Sequence, residues 1–439
     1  MRGGGILKLA ENFILKANTN EEIILGHLTY AAARLYNIGN YQRHNWSEDS
    51  GEDYPDWYKQ KKELKDEFWY KNLPSQTAQE TLKILADNWK AYYCGIKEYE
   101  ENPEKFTDKP GPPHYKPKDS KFNIRYLNNG FKIDNNKIRL SIPRQLKNYL
   151  KEEYSITQNY LWIKVPEELL SGNRNILENT CRIEIKPIED KVYKIILIYK
   201  VDIPEIKDNN GNYLAIDLGI NNLMTCYDNN NQECFIIDGG QYLSINRYFD
   251  KKIKHYQSVI NAQGKKTSKR IQQLYAKRRK QLFHLIHTAT RKITDYCVAH
   301  DITRVVVVDI KGIRDNSNLG KRNNQKLHKL PFETIYKQLE YKLKLKGILL
   351  IKQDESYTSR CSPYSPEVCK KYAAGKNRIY RGLYLDREKK KVFNADSVGA
   401  YNILRKYLQK KSKENVIDFK PDKINKIKKY KWNRHRFCA

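Results

Sequence analysis

The sequence predicts a multidomain protein of the α+β class. Three observations support this class: the chain has 439 residues, helical patterns and then strand patterns fill its first half, and strands alternate with helices in its second half. A chain of this length is expected to form two or three domains, each with its own core. The two halves are therefore expected to belong to different domains.

The first half begins with a short predicted strand and a group of helices. Residues 1–12 are predicted to form the strand, and apolar periodicity predicts helices over 20–45 and 57–69. A further helix is predicted from Ser75, which is a candidate N-cap. The apolar face of this last helix is expected in the core, and its members are Ala78, Leu82, Leu85, Trp89 and Tyr92.

After a Pro-rich break, the first half alternates between apolar and polar residues as β-strands do. A hairpin turn is predicted at Asn135 and Asn136. These strands and the first one predict a small β-barrel formed by residues 1–12 and 104–207. A helical domain at 13–103 is then an insertion into this barrel.

The second half has a meander of three predicted strands followed by alternating helices and strands. The predicted elements are strands at 213–217, 222–227 and 233–238, a long basic helix at about 245–300, a strand at 304–309, a loop at 311–328, a helix at 331–346, a strand at 348–353 and a helix that begins near Asp396. This order predicts an RNase H-like nuclease domain at 208–408. The Lys-rich residues 409–439 are expected to form a basic tail.

The composition indicates a polyanionic partner. The chain has 82 Lys and Arg residues against 51 Asp and Glu residues, which gives a formal net charge of +31. An excess this large is typical of nucleic-acid binding. The aromatic content of 12%, with 33 Tyr residues, adds side chains that stack on bases.

Membrane and secretory classes are not expected. No apolar run reaches the roughly 20 residues that a membrane-spanning helix needs, and the first residues lack the apolar stretch of a secretory signal. The 8 Cys residues are scattered, which favours reduced thiols over a disulfide framework. We therefore expect a cytoplasmic protein that makes no membrane contact.

Three acidic residues stand at the ends of predicted elements in the second half. Asp217 ends the first strand of that half, Asp309 ends a run of four valines, and Asp396 opens the last helix. Carboxylates from separate elements that meet around Mg²⁺ are the ligands expected for two-metal hydrolysis of a phosphodiester. Each Asp alone also has an ordinary structural explanation, as a turn cap or as a charge at a helix N-terminus.

Short motifs are spread over most of the chain. They are Leu73-Pro-Ser-Gln-Thr-Ala-Gln, Lys109-Pro-Gly-Pro-Pro-His-Tyr-Lys, Asp217-Leu-Gly-Ile-Asn-Asn, Lys311-Gly-Ile-Arg, Asn323-Asn-Gln-Lys-Leu-His, Ser356-Tyr-Thr-Ser and Asn394-Ala-Asp. Together they resemble the transposon-encoded TnpB (OrfB) family and the related miniature type V CRISPR effector nucleases. The resemblance implies a wedge-like β-barrel, a helical recognition domain and a RuvC-type nuclease domain of the RNase H-like class. It also implies a guide RNA and cleavage of guide-matched double-stranded DNA next to a short flanking motif.

The chain departs from this family at the second nuclease strand. The Glu that ends this strand in the family aligns with Val308, and Asp309 follows it. Because successive strand residues face opposite sides, Asp309 reaches the site only if the strand has already ended. Glu355, just after the strand at 348–353, is the first candidate for the third metal ligand, and Asp309 is the second. If neither binds metal, the chain is a catalytically inactive RNA-guided DNA-binding protein.

A second departure concerns zinc. In the region 356–392 the family often carries two Cys-x-x-Cys pairs, whereas this chain has only Cys361 and Cys369, which are too far apart in sequence for such a pair. Four ligands for tetrahedral zinc are missing. We expect a degenerate ribbon-like insert without zinc, and two Mg²⁺ ions as the cofactor.

Candidate nucleic-acid contacts lie in three segments: the polar face of the helix after Ser75, the Pro-rich segment and the long basic helix. Glutamine pairs well with adenine edges, and Lys, Arg and Tyr contact the phosphate backbone. The candidates are Gln76, Gln79, Lys83, Tyr115, Lys116, Lys277 and Arg278.

A third interpretation is a structure-specific junction resolvase that works without RNA. The large basic N-terminal half disfavours it, because a resolvase needs little beyond its nuclease domain. The sequence makes no prediction of the oligomeric state.

Overall fold

The computed structural model of the chain describes residues 5–170, 175–309, 330–373, 377–380, 382–411 and 419–438. The chain forms two compact units: Ile6–Val201, and Asp202–Ala439 together with Met1–Gly5. The loop predicted at 311–328, which contains two of the family-like motifs, lies outside the described residues.

The first unit opens with a strand and its helices. They are β1 (Ile6–Lys16), α1 (Thr19–His44), α2 (Trp57–Glu63), α3 (Phe68–Lys71) and α4 (Ser75–Glu101). The helices predicted at 20–45 and from Ser75 are confirmed, whereas the helix predicted at 57–69 is divided into α2 and α3. The buried face of α4 is also confirmed, with Tyr92 as its half-exposed last member. The predicted cap is wrong: Pro74 is the N-cap and no side chain caps the helix. Ser75 is already helical, and its Oγ accepts a hydrogen bond from Gln79 Nε2 at 3.4 Å.

The rest of the first unit is mainly strands. They are β2 (Ile124–Leu127), β3 (Phe131–Asp134), β4 (Lys137–Ser141), α5 (Arg144–Tyr154), β5 (Tyr160–Lys164), α6 (Glu167–Leu170), β6 (Thr180–Glu189) and β7 (Val192–Asp202). The hairpin turn between β3 and β4 is confirmed, because Asn135 and Asn136 have positive φ values of 46° and 59°, as a tight hairpin turn requires.

The described strands of this unit form two open sheets where the sequence predicts one barrel. The strand orders are β1-β7-β6-β2 and β3-β4-β5. Both sheets bury one face in a shared core, to which Ile138, Leu161 and Ile195 contribute. Alternation along a strand shows only that one face is buried, so it does not distinguish a barrel from two packed sheets.

The second unit begins with a β-meander and two basic helices. These elements are β8 (Tyr213–Leu218), β9 (Asn222–Asp228), β10 (Glu233–Asp238), α7 (Gly240–Asn261) and α8 (Lys269–Ala299). The single long helix predicted at 245–300 is wrong. It is divided at Gly264, whose φ of +68° lies in the left-handed region, which a right-handed helix does not continue through.

The second unit ends with an alternation of strands and helices. The elements are β11 (Arg304–Asp309), α9 (Phe332–Lys344), β12 (Leu349–Asp354), β13 (Arg378–Tyr380), β14 (Leu383–Asp386), β15 (Lys391–Asn394), α10 (Ala395–Lys411), β16 (Ile427–Asn433) and β17 (Arg436–Cys438). Apart from the divided long helix and the loop at 311–328, the predicted order of strands and helices is confirmed up to α10, with β13, β14 and β15 in the predicted insert. The residues expected to form a basic tail instead include β16, which pairs with β10 in parallel, and β17.

Within the described residues, the main sheet of this unit has the strand order β12-β11-β8-β9-β10-β16-β17. Strands β8, β11 and β12 run parallel, so the predicted pairing of the strand at 348–353 with that at 304–309 is confirmed. A smaller sheet has the order β13-β14-β15. No helix in the described part of the chain combines the length and the apolar composition needed to cross a bilayer.

Candidate active site

The carboxyl edge of the main sheet brings predicted site residues together. Asp217 lies near the end of β8, and Glu355 directly follows β12. Between these strands lies β11, whose Val307 is in register with Ile216 of β8 and with Lys352 of β12. One residue further along, Val308 is in register with Gln353, and the same register continued on β8 places Asp217 beside Val308. Because parallel strands end at the same edge, both carboxylates reach one end of the sheet.

The register also decides which face each side chain occupies. Asp217 shares its face with Val308, so Asp309 lies on the opposite face, because neighbouring strand residues alternate. Asp309 is the last residue of β11, and the strand has not ended before it. This arrangement separates Asp309 from Asp217 and favours Glu355 as the third acidic residue of the site.

Helix α10 covers Asp217 and supplies the carboxylate of Asp396. Asp396 is the second residue of this helix. Gly399, on the same helix, is so close to Asp217 that a Cβ added there would lie 2.7 Å from Asp217 Oδ2. A glycine is therefore required at this position for the helix to approach the carboxylate.

The charges of Asp396 and Glu355 act on Asp217. The pKa of Asp217 is raised well above its ordinary value, first by burial and then by the negative charges of Asp396 and Glu355. The pKa of Glu355 is raised by burial and by the adjacent charge of Asp354. Like charges disfavour ionisation only at short range in a poorly solvated site. Asp396 and Glu355 thus both lie near enough to Asp217 to act on its charge, and the three are called the electrostatic cluster.

Two residues that the sequence did not single out hold Asp396. Asn222 at the start of β9 donates a hydrogen bond from Nδ2 to Asp396 Oδ2 at 2.8 Å. The guanidinium of Arg378 lies 3.7 Å from Asp396 Oδ1, and its positive charge also lowers the pKa of Asp217. Asn222 lies inside a family-like motif and had a sequence signal, whereas nothing near Arg378 indicated this contact.

The loop that carries Glu355 is fixed by α10. Thr358 donates to the carbonyl oxygen of Glu355 from its backbone N at 3.1 Å and from Oγ1 at 2.7 Å. Asn402 of α10 donates from Nδ2 to the carbonyls of Thr358 and Cys361, at 2.8 and 2.9 Å. The neighbouring Asp354 is exposed and accepts from Lys406 Nζ at 2.6 Å. Helix α10 therefore positions both its own carboxylate and that of Glu355.

The donor chemistry of this cluster fits a hard divalent cation, since Mg²⁺ prefers carboxylate oxygens. The guanidinium of Arg378 beside Asp396 shows that a positive charge is favourable there. As the side chains stand, the described residues contain no group of three or more His, Cys, Asp and Glu side chains gathered around a metal position. Metal binding would therefore require these carboxylates to move closer together.

The nucleic-acid candidates on α4 differ in exposure. Gln76 and Gln79 are half-buried, and Lys83 is exposed. The Nζ of Lys83 lies 5.4 Å from the ring centroid of Trp57, and Trp57 Nε1 donates to the carbonyl oxygen of Gln79 at 3.0 Å. Of the three, Lys83 has the side chain most accessible to a ligand.

In the Pro-rich segment, Tyr115 and Lys116 have different surroundings. Tyr115 is exposed and stacks on the His44 ring at a centroid distance of 5.2 Å. The Nζ of Lys116 lies over the rings of Tyr36 and Phe122, at 4.5 and 4.9 Å, and burial lowers its pKa. Lys116 is therefore engaged in packing, and Tyr115 keeps an exposed ring.

The two candidates on α8 also differ. Lys277 is exposed. Arg278 is mostly buried and joins α8 to α7: its Nε donates to Asn246 Oδ1 at 3.0 Å, and its Nη1 donates to Asp250 Oδ1 at 3.2 Å. Arg278 thus has a structural role in this unit, which the charge run in the sequence did not indicate.

The two cysteines of the predicted ribbon-like insert interact through the backbone. Cys361 is buried, and its thiol donates to the carbonyl oxygen of Cys369 at 3.3 Å. The described part of this region contains the small sheet β13-β14-β15. The expectation that the insert binds no zinc stays a prediction.

Comparison with known proteins gives two family matches and similar solved structures. Residues 196–314 match the OrfB_IS605 family model, described as a probable transposase. Residues 332–403 match the Cas12f1-like TNB domain. No curated protein matches the sequence.

The fold is similar to that of a Cas12f1–sgRNA–target DNA complex, with a TM-score of 0.56, 16% identity, and coverage of 88% of this chain and 83% of that chain. A mini-RNA-guided endonuclease, CRISPR-Cas_phi3, matches with a TM-score of 0.46, 10% identity, and coverage of 91% and 92% of the two chains. Two parts of this chain therefore resemble the OrfB_IS605 family and the Cas12f1-like TNB domain, and the similarity to the Cas12f1 structure is one of fold.

Proposed function

We propose that this chain is an RNA-guided DNA endonuclease that hydrolyses phosphodiester bonds of guide-matched DNA next to a short flanking motif. The observation that carries the proposal is the electrostatic cluster of Asp217, Glu355 and Asp396 at the carboxyl edge of the main sheet. A buried acidic group whose pKa is strongly raised by burial and by other carboxylates is characteristic of a functional site. The RNase H-like interpretation of this unit belongs to the same proposal.

In this proposal, Asp217, Glu355 and Asp396 hold Mg²⁺, which when bound stabilises the attacking and leaving oxygens of the phosphodiester. Asn222 fixes one oxygen of Asp396. The other oxygen faces Arg378, whose guanidinium serves as the counter-charge in the metal-free protein. Asn402 holds the loop that presents Glu355.

The proposed partners are a guide RNA and double-stranded target DNA. The net charge of +31 favours polyanions, and the similar Cas12f1 structure is a complex with sgRNA and target DNA. Base pairing with the guide would select the target, and the protein would read a short flanking duplex. Lys83, Tyr115 and Lys277 are the most exposed of the predicted contacts.

The domain assignment follows this division of roles. Residues 1–12 and 104–207 are proposed as a wedge-like domain, and 13–103 as the recognition domain. Residues 208–408 are proposed as the RuvC-like nuclease domain, to whose sheet β16 and β17 add.

The proposal is tested with the purified ribonucleoprotein and linear DNA. Matched DNA that carries the flanking motif should be cut in Mg²⁺ and stay intact in EDTA, and DNA with a mismatched target should not be cut. The Asp217→Asn variant is the control for contaminating nuclease. Intact matched DNA at saturating binding would overturn the enzymatic proposal.

The second candidate is a catalytically inactive RNA-guided DNA-binding protein. One observation favours it. Val308 of β11 is fully buried and lies between Asp217 of β8 and Gln353 of β12, at the position where the family carries Glu. The same assay separates the two candidates. Guide-dependent binding without strand cleavage would establish the inactive protein.

A further inference from the structure

The outer face of the sheet β3-β4-β5 exposes aromatic side chains. Along β5, Leu161 and Ile163 are buried, whereas Tyr160 and Trp162 on the other face are 38% and 42% exposed. Tyr and Trp side chains are usually buried over most of their surface. Two large exposed rings on one strand face indicate a surface that is used for contact.

Basic residues surround these rings. In the register of the sheet, Arg139 lies opposite Trp162, Lys137 lies opposite Lys164, and Lys132 lies opposite Arg139. Among the exposed positions of these three strands, one residue is acidic: Asp134, which lies opposite Lys137. No described carboxylate forms an ion pair with the four basic residues, so their charges are available to a polyanion.

Cations also lie directly over one ring. The Arg139 guanidinium is 4.3 Å from the Tyr160 ring centroid, and Lys147 Nζ of α5 is 5.5 Å from it. A cation over an aromatic face is favourable and restricts the motion of both groups. Tyr160 is therefore oriented in advance, with positive charge beside its remaining exposed surface.

The spacing of the rings selects unpaired bases. Tyr160 and Trp162 are two residues apart on one strand, which places them about 6.7 Å apart along it. Stacked bases in a duplex strand are separated by about 3.4 Å. Adjacent bases that each stack on one ring must therefore be unstacked from each other, a condition that a flexible single strand meets and a duplex does not.

We propose that this face is a binding platform for single-stranded nucleic acid. Tyr160 and Trp162 each stack on one unpaired base, and Lys132, Arg139 and Lys164 contact the phosphates. For the nature of its ligand this inference rests on the proposed function, in which a guide RNA supplies unpaired nucleotides and an opened target supplies unpaired DNA. The excess of basic over acidic residues on the face selects a polyanion over an apolar protein partner.

The test measures binding of the full-length protein, without divalent metal, to a fluorescent uridine oligomer and to the matching thymidine oligomer. Tyr160→Ala and Trp162→Ala should each weaken binding about 5- to 150-fold, the effect of losing one base stack. Trp162→Phe keeps a ring and should restore most of the affinity. Arg139→Gln should reduce the slope of log affinity against log salt by about one.

The matched control is Tyr58→Ala. Tyr58 lies on α2, is 62% exposed and has Lys61 Nζ 4.8 Å from its ring centroid, so it reproduces the aromatic–cation pair outside the sheet face. Its loss should leave binding unchanged. Circular dichroism of all variants should match that of the wild type, because the substituted side chains are exposed or half-exposed and contribute little to the core.

Tighter binding of the uridine oligomer would assign the platform to the guide, and tighter binding of the thymidine oligomer would assign it to the opened DNA. Wild-type affinity in both alanine variants, or no binding by the wild type, would overturn the platform. Target cleavage is measured separately. A protein that does not cut DNA but loses oligomer binding in the two alanine variants would lose the proposed nuclease activity and keep the platform.

Discussion

The carboxyl edge of the main sheet and the outer face of β3-β4-β5 differ in how their charges are compensated. At the edge, Asp217 is poorly solvated and lies near Asp396 and Glu355, so its pKa is raised well above the ordinary value. On the outer face, the basic side chains reach solvent, where unpaired charge costs little. The comparison shows that a chain of net charge +31 still places three acidic residues near one another at the carboxyl edge of a sheet.

The largest expected effect comes from removing a carboxylate at the edge. Asp217→Asn and Asp396→Asn should each slow DNA cleavage at least about 10³-fold, because each loses a ligand of the metal that supplies several kcal/mol of transition-state stabilisation. Single-turnover cleavage measures this, with guide binding unchanged. The control is Asp354→Asn, since Asp354 is exposed and paired with Lys406. Equal losses in the control and in Asp217→Asn would show that general charge, and not this cluster, matters.

A smaller effect should separate the two candidates for the third ligand. Glu355→Gln should slow cleavage about 10²-fold, equivalent to about 2.7 kcal/mol, whereas Asp309→Asn should stay within about threefold of the wild type. The physical reason is that Asp309 lies on the sheet face opposite to Asp217. The opposite ranking would show that β11 bends at its end and returns Asp309 to the site.

Two adjacent basic residues on α8 extend the comparison to stability. Arg278→Gln removes bonds to Asn246 and Asp250 and should lower the free energy of unfolding by about 1–2 kcal/mol, with a fall in Tm of several degrees. Lys277→Gln is exposed and should change stability by less than about 0.5 kcal/mol. Thermal melts of both variants check this. Equal melting temperatures would remove the structural role of Arg278.

The smallest effect concerns a buried cation in the same unit. Burial and the charge of Arg291 lower the pKa of Lys342 from 10.5 to about 8, and its Nζ donates to Thr290 Oγ1 at 2.7 Å. Between these values the unfolded chain holds more protons, so stability should rise as pH increases from about 8 to 10.5. Lys342→Met should remove this contribution. Denaturant melts across this pH range measure it, and parallel curves for the two proteins would contradict it.

The sequence predicted which acidic residues lie at the ends of elements. Asp217 and Glu355 lie at one edge of the sheet because parallel strands end there, and Asp396 lies near Asp217 because its helix begins there. Their positions follow from local pattern and strand order alone. The choice between Glu355 and Asp309 depends on the register of β11 with its neighbouring strands, and the sequence does not determine this register.

Other contacts depend on tertiary packing and left no local signal. Arg378 belongs to the small sheet and approaches Asp396 only through the folded chain. In the sequence, Arg278 is one charge in a basic run, and its structural role depends on the packing of α7 beside α8. Strand β16 was hidden because Lys428, Lys429 and Lys431 interrupt its apolar residues, so composition suggested a tail.

We propose that Asp217, Glu355 and Asp396 form one metal site that excludes Asp309. Titration of Mn²⁺ into the purified protein, followed by electron paramagnetic resonance, tests it without any cleavage. The wild type and Asp309→Asn should bind Mn²⁺ alike, whereas Asp217→Asn and Glu355→Gln should each weaken binding about tenfold or more. Loss of binding in Asp309→Asn together with full binding in Glu355→Gln would contradict the claim.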